Sequence, residues 1–568
     1  MNKNPVKKII LLIVSFALFI LSCSKENETN DIELNEIEFT TQEEINTFNN
    51  KTLNKIGFLK ISGSDISDLS ALNSLTLVSK LEIDNNPKLI SLHGLENLFA
   101  VSESLSITNN RSLGDFEAIK NLNIDNLIDV NSLSNKRYVS KNPNNSFKIE
   151  NNLFNPNKDS LKTTYKLKEK IYSGNLIINC NQYLKNFIKE KYTIIDGDLT
   201  IRDDNCTSNN GLEPITTLIG LESISKVNGT LKITSSPSIS NLEGLENLIE
   251  TDATTIISKN ESLISLDGIE NHTSLNKLVI YNNESLKDLK GISNISSISG
   301  SIYIWNNKSL THIPDLVNLH SIGTSENFDP SSLSPNIIPI VSFSRGIYIM
   351  NNANLSNIEG FSTMSKIQGN LIIINNPLLE NLSGLDNVFN IEGGIVIDSN
   401  NSIIDLTGLN NIRTTKTIKI ENNKMLKSLK GLENIYYNPV TISQYPTKDL
   451  IINKNESLES LTDLNMLAIQ NLQITNNTKL TTIKGIGLLK RASSLKIENN
   501  GSLTSLLGLE NLLRVNNYFY IRDNENLIDF CSINENLKLI SDGLYRVTGN
   551  AYNPSIYAMI STNRCKQP

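Results

Sequence analysis

The feature that most limits what this chain can fold into is its period. An L-x-I-x-N-N frame returns along most of the 568 residues, as "SKLEIDNNPKL", "ESLSITNNRSL", "NKLVIYNNESL" and "GSIYIWNNKSL". Its first asparagine position falls at 85, 109, 235, 259, 282, 306, 351, 375, 399, 422, 454, 476, 499 and 523, with Ser, Lys or Asp in some copies, and most steps are 22 to 25 residues. The glycine of "GLENL" recurs in phase with it, at 94, 220, 244, 268, 291, 360, 384, 408, 431, 485 and 508. A fixed period of this length means a stacked array, so repeats have to be read before domains are counted.

One coil, "LEIDNNPKLISLHGLENLFAV" from Leu81 to Val101, shows the physics. Leu81 and Ile83 alternate with Glu82 and Asp84, the pattern of a short strand with one buried face. Asn85 and Asn86 make a turn, because asparagine tolerates strained backbone angles and bonds the neighbouring main chain. Leu89, Leu92, Leu95, Leu98 and Val101 then point inward at spacings of three. A single coil leaves both of its flat sides open and buries too little apolar surface to offset the entropy of ordering it. Stacking closes those sides and pairs each strand with the next in a parallel ladder. The asparagine pairs are then expected to stack into ladders along one edge.

The pattern L-x-I-x-N-N-x-x-L-x-x-L-x-G-L-x-x-L resembles the repeats of the receptor L-domain family, right-handed β-helical relatives of leucine-rich repeats found in receptor ectodomains. It is also similar to bacterial surface lipoproteins that carry long arrays of such repeats. The resemblance implies a mainly β solenoid, a right-handed parallel β-helix of leucine-rich repeats of about 22–25 residues. It covers most of the chain after residue 40. It says little about function, because the recurring residues are core and turn positions.

The N-terminus, "MNKNPVKKIILLIVSFALFILSCSKENETN", has Lys3, Lys7 and Lys8 before an apolar run from Ile9 to Leu21. Such a run is too short to span a bilayer comfortably, and its basic flank makes it a secretion signal. Ending at Ser22-Cys23, it resembles a bacterial lipobox, with Leu21 larger than usual in its place. That resemblance implies cleavage before Cys23 and lipidation of its thiol. The polar "SKENETNDIE" that follows resembles the acidic export signal of surface-exposed lipoproteins, and reads also as a flexible tether. The expected location is the bacterial outer membrane, lipid-anchored and facing outward. Losing residues 1–22 removes three lysines and no acid, which moves the net charge from −7 to −10. This balance and the lack of a basic tract argue against a nucleic-acid partner.

The remaining cysteines are Cys180, Cys206, Cys531 and Cys565. In an exported chain they can make two bridges, and sequence proximity favours Cys180 with Cys206 and Cys531 with Cys565. The expected organisation is a signal peptide at 1–22, a tether at 23–39, a first short solenoid module at 40–155, a linker at 156–170, a main module at 171–530 and a C-terminal cap at 531–568. "FTTQEEINTFNN" reads as a capping segment, and "SKNPNNSFKIENNLFNPNK" at 140–158 has the Pro, Asn and Ser content of a linker. The period is broken by an insertion at about 323–343, "GTSENFDPSSLSPNIIPIVSF", and by a shorter one between 422 and 454.

No catalytic or metal motif emerges. His93, His272, His312 and His320 are scattered, H-E-x-x-H and C-x-x-C are absent, and so are phosphate-loop and G-x-S-x-G spacings. The reading is therefore of a protein that is not an enzyme and needs no cofactor or metal. Asp398 and Glu421, one repeat apart, are open to an acid pair, to calcium binding and to simple solvation, while Glu498 beside Arg522 reads as a cross-strand ion pair.

The outward strand columns carry the distinctive signal. Stacked coils place equivalent residues about 4.8 Å apart. Val279, Tyr281, Tyr303, Trp305, Tyr348, Met350, Ile372, Ile374 and Val396 then form one apolar and aromatic block, and Trp305 is the sole tryptophan of the chain. An exposed block of this size usually means a partner. The candidate ligand-binding residues are Val279, Tyr281, Tyr303, Trp305, Tyr348, Met350, Ile372 and Ile374. Its occupant is an extracellular protein or glycan, the chain's own insertion with Ile337, Ile338, Ile340, Val341 and Phe343, or the first module or a second copy. The functional expectation is a surface lipoprotein that binds through this face. The alternatives are a passive spacer and, third, a carbohydrate-active β-helix enzyme.

Overall fold

The computed structural model describes residues 34–567 apart from 49–54, 99, 121, 125–126, 130–145, 159, 162–169, 204–205, 207–211, 324–344, 436–446, 462–463, 465–467, 534–544 and 562–563. The expected signal segment 1–22, Cys23, nearly all of the 323–343 insertion and the shorter insertion around 436–446 thus lie outside the described residues. The chain divides into two compact units, Met1–Lys166 and Leu167–Pro568. The fold is a mostly β solenoid of stacked parallel strands, about 17 turns in all, with few helices.

In the first unit a six-stranded parallel sheet runs Leu34–Phe39, Lys55–Ile61, Leu77–Asp84, Ala100–Thr108, Ser146–Glu150, with Ile128–Asp129 at its far edge. Its inward column pairs Leu59 with Leu81, Leu105 and Phe147 in register. Two expectations are corrected here. The strand Leu34–Phe39 already belongs to the solenoid, inside the expected tether, because Ile37 and Phe39 pair in register with the inward Leu59 and Ile61. The supposedly linker-like stretch contains a full frame, "FKIENN", whose Phe147 and Ile149 are buried like any other coil's. The helix Gln42–Thr47 follows the first strand, with Thr41 and Glu44 forming a capping box.

The second unit is a 22-stranded sheet. Leu231, Thr255, Leu278, Ile302, Ile347, Leu371 and Ile395 occupy one inward column by strict parallel register. At the N-terminal end the helix Asn181–Phe187 starts at Cys180, which is bridged to Cys206 with Cα atoms 5.6 Å apart. At the other end Cys531 is bridged to Cys565, Cα atoms 4.8 Å apart, and the helix Ile556–Ser561 lies nearby in sequence. The expected break in the repeat after residue 530 is not complete. "YRVTGN" adds one more strand, Tyr545–Thr548, with Val547 beside Ile521 and Gly549 taking the place of the usual turn asparagine.

The two asparagines of each pair do different work. The first, as at Asn282, Asn306 and Asn351, holds φ near +55°, a conformation that asparagine reaches more readily than most side chains. The second is fully buried and joins the coils. Asn352 donates its backbone N–H to Asn376 Oδ1 at 3.1 Å, and Asn376 in turn donates Nδ2 to the carbonyl of Ile349 at 3.0 Å. The same geometry repeats through Asn400, Asn423, Asn455, Asn477, Asn500, Asn524 and Asn550. Backbone groups that the turn would leave orphaned inside the solenoid are satisfied by the next coil's side chain.

The "GLEN" segment is equally structural. At Gly244, φ is +113° and an added Cβ would lie 2.0 Å from the carbonyl oxygen of Leu218 in the preceding coil. Its N–H donates to Glu246 at 3.0 Å, Leu245 is in the core, and Asn271 of the next coil donates Nδ2 to the Glu246 carbonyl at 2.8 Å. A second asparagine ladder thus runs along the opposite turn, a role that the leucine and glycine pattern alone does not reveal.

These two roles predict unequal costs. Asn376→Ala should lower stability by roughly 2–5 kcal/mol, since it orphans a buried N–H and a buried carbonyl. Asn375→Gly, which keeps the left-handed turn, should cost no more than about 1 kcal/mol. Denaturant midpoints of the two variants decide, and equal losses would refute the division of labour.

Candidate functional site

The strand register brings the expected block together. Val279, Tyr303, Tyr348, Ile372 and Val396 are successive neighbours in one outward column, and Tyr281, Trp305, Met350 and Ile374 in the other. Tyr281 stacks on Trp305 with ring centroids 4.4 Å apart, Tyr303 stacks on Tyr348 at 4.5 Å, and Tyr303 meets Trp305 edge-on at 6.3 Å. Stacking along the ladder and edge contact across it are the arrangements that aromatic quadrupoles favour.

The expectation that this block is exposed is corrected. Val279, Tyr303 and Tyr348 are 0 % exposed, Ile372 1 %, Met350 4 % and Trp305 5 %, in a hydrophobic cluster separate from the solenoid's interior core. Tyr281, Ile374, Val396 and Ile256 are half-buried at its margin. The strands Ser301–Trp305 and Gly346–Met350 are buried on both faces. Parallel strands covered on both sides read as continuous apolar runs. "IYIW" and "IYIM" carried that signal, whereas "TIKIE" at Thr417–Glu421 alternates and stays half open.

A few polar groups reach into the cluster. The Lys277 ammonium sits 5.4 Å from the centre of the Tyr303 ring, a cation–π distance. Asn370 Nδ2 donates to the Tyr348 hydroxyl at 3.4 Å. Burial pushes the Tyr303 phenol pKa well up, so the ring stays protonated throughout the physiological range. Beside the cluster a shallow concavity is floored by Gly393 and Gly394 and rimmed by Arg345, Asn370, Glu392 and Lys416.

Toward the C-terminus the same face is largely polar and mostly half-buried. The carboxylates of Asp398 and Glu421, direct neighbours across the ladder, are held by separate partners. Asp398 accepts from the Ser399 hydroxyl at 2.7 Å and from Asn422 Nδ2 at 2.8 Å. Glu421 accepts from Lys419 at 2.7 Å and from Asn453 Nδ2 at 3.1 Å. Glu498 makes the expected cross-strand pair with Arg522 and a second with Lys496 at 2.8 Å. Further along, Tyr518 stacks on Tyr520 at 4.8 Å, and the guanidinium carbons of Arg522 and Arg546 lie 5.3 and 5.4 Å from the centre of the Tyr520 ring. The outward columns show Tyr520 next to Arg522, but Arg546, which pairs with Tyr520, lies in the frame "YRVTGN", whose turn carries glycine in place of the marker asparagine.

Among the described residues no group of three His, Cys, Asp or Glu side chains could hold a metal ion. The chemistry available is shape, aromatic surface and paired charges.

Burial changes what truncation should do. Trp305→Ala should cost about 3–5 kcal/mol, the range for emptying a large buried aromatic site. Tyr281→Ala at the half-open margin should cost clearly less, and thermal melts of both variants test the order. A Trp305 variant that melts like the parent would show that the cluster is not packed. Neither a family model nor a curated protein matches this chain.

Proposed function

We propose that this chain is an exported, lipid-anchored surface protein that binds an extracellular protein or glycan through the outward strand face of its second unit. The finer resemblance to receptor L-domain repeats and to bacterial surface lipoproteins belongs to this proposal. The observation that carries it is an aromatic and apolar cluster on the outward face that the coil's own interior does not require. Its burial moves the contact region away from Tyr303, Trp305 and Tyr348. The surface left for a ligand is the half-open margin at Tyr281, Ile374 and Val396, together with the polar face that runs on to Tyr520 and Arg546. Tyrosine and arginine are the types that dominate interface energetics.

One observation favours a second reading, a passive spacer. Trp305 at 5 % exposure is an anchor of the fold rather than a ligand contact. The two readings separate on one experiment, in which the full chain is presented to immobilised glycans and to extracellular-matrix proteins. Binding predicts at least a tenfold loss of affinity in Tyr281→Ala and in Tyr520→Ala with Arg546→Ala, with little change in Tm for the second pair. A chain that captures none of these probes, or variants that bind as the parent does, favours the spacer.

The anchor has its own readout. Cys23→Ser should move the protein from the detergent phase to the aqueous phase on fractionation. Retention of that variant with membranes would refute lipidation at this residue.

A further inference from the structure

Trp305 puts apolar surface where the repeat keeps polar groups, and one nearby coil does the reverse. Thr251 occupies an inward column between Val227 and Leu275, and Thr255 one between Leu231 and Leu278. His272 ends the same coil in the place of the last leucine of "GLENL". The hydrogen bonds fix that equivalence: the N–H groups of Leu248, His272 and Ile295 donate to the carbonyls of Leu245, Ile269 and Ile292 in turn. His272 therefore stands in a leucine column between Leu248 and Ile295. All three polar side chains are buried, at 2 %, 0 % and 1 % exposure, and neither hydroxyl nor either imidazole nitrogen has a hydrogen-bond partner. Thr415, a threonine at an equivalent inward position, behaves differently and donates to the Gly393 carbonyl at 2.9 Å. The register shift between Thr251 and Thr254 is shared with other coils, as at Ala492 and Ser494, so the unpaired polar groups are what set this coil apart.

The charged neighbours on the packed elements are engaged elsewhere. Glu250 and Asp252 point outward to Lys226, at 3.1 and 3.2 Å. Glu246 and Glu270 accept from the N–H groups of Gly244 and Gly268, at 3.0 and 2.9 Å. Lys277 lies over the outward Tyr303 ring. Among the described residues no carboxylate shifts the His272 imidazole toward a positive charge. Burial alone holds the His272 pKa down at about 4, from an ordinary 6.5.

We propose that this coil is an acid-sensitive seam: protonation of His272 places an uncompensated charge between Leu248 and Ile295, and the solenoid opens locally at the strands Glu250–Ser258 and Ser274–Tyr281. The imidazole is tolerated there as a neutral group and not as a cation. The sign follows from the depressed pKa. The opened coil binds the proton more tightly, so the closed state is intact above pH 6.5 and loses stability progressively toward pH 4. The second of these strands carries Tyr281, the ring stacked on Trp305, so opening also releases one margin of the aromatic cluster. The inference stands apart from the binding proposal.

Hydrogen exchange of the full chain at pH 7.5 and pH 5, corrected for intrinsic rates, tests it. In the parent, opening of residues 250–281 should become roughly 30-fold more frequent at pH 5, while Arg491–Glu498 should change little. His272→Leu restores the column and should abolish the difference. His272→Gln, polar but uncharged, should exchange faster than the parent at pH 7.5 with no further acceleration at pH 5. A parent without the difference, or either variant retaining it, would overturn the seam.

Discussion

The buried asparagine ladder is the interaction on which the rest of this structure depends. A solenoid coil has to reverse direction without water to satisfy its backbone, and each turn here does so through the amide of the next coil. Asn376 and its equivalents accept a backbone N–H and return a donor to a carbonyl, so each turn is completed by its neighbour. Registering the turns also registers everything between them. The leucine columns, the parallel strands and the "GLEN" turn with its own asparagine ladder follow from that spacing. Low dielectric inside the stack makes such a network strong when complete and costly when broken.

Because the recurrent residues are committed to this scaffold, individuality lies in the departures from it. Two of them sit close together. Coils around Tyr281, Trp305 and Tyr348 carry aromatic surface outward and bury it, while the coil from Thr251 to His272 carries polar groups inward and leaves them unpaired. The first adds a second hydrophobic cluster outside the interior core. The second weakens the interior core next to it. A uniform repeat has neither feature, and their proximity gives the second unit one region with its own stability and chemistry.

Much of this was legible in the primary structure. The L-x-I alternation located the strands, the asparagine pairs located the ladder, and proximity paired Cys180 with Cys206 and Cys531 with Cys565. Frames were missed where local composition masked them. "FKIENN" lies among Pro, Asn and Ser, and "YRVTGN" has Gly549 in the left-handed position that asparagine usually fills. The weight of His272 was hidden for another reason: a histidine looks scattered until its phase within "GLENL" is counted, and then it falls in a leucine column.

By itself the sequence determined the period, the direction in which each strand residue points, and the columns in which residues meet, because all three are set by local geometry repeated at a fixed spacing. The tertiary structure decided which outward residues are covered. Trp305 and Glu421 occupy the same column of the same kind of strand, yet Trp305 is buried in an apolar cluster and Glu421 is half-buried and held by Lys419. Alternation along a strand tells which face a side chain takes. Whether that face meets water is settled by what packs against it in three dimensions, and no period encodes it.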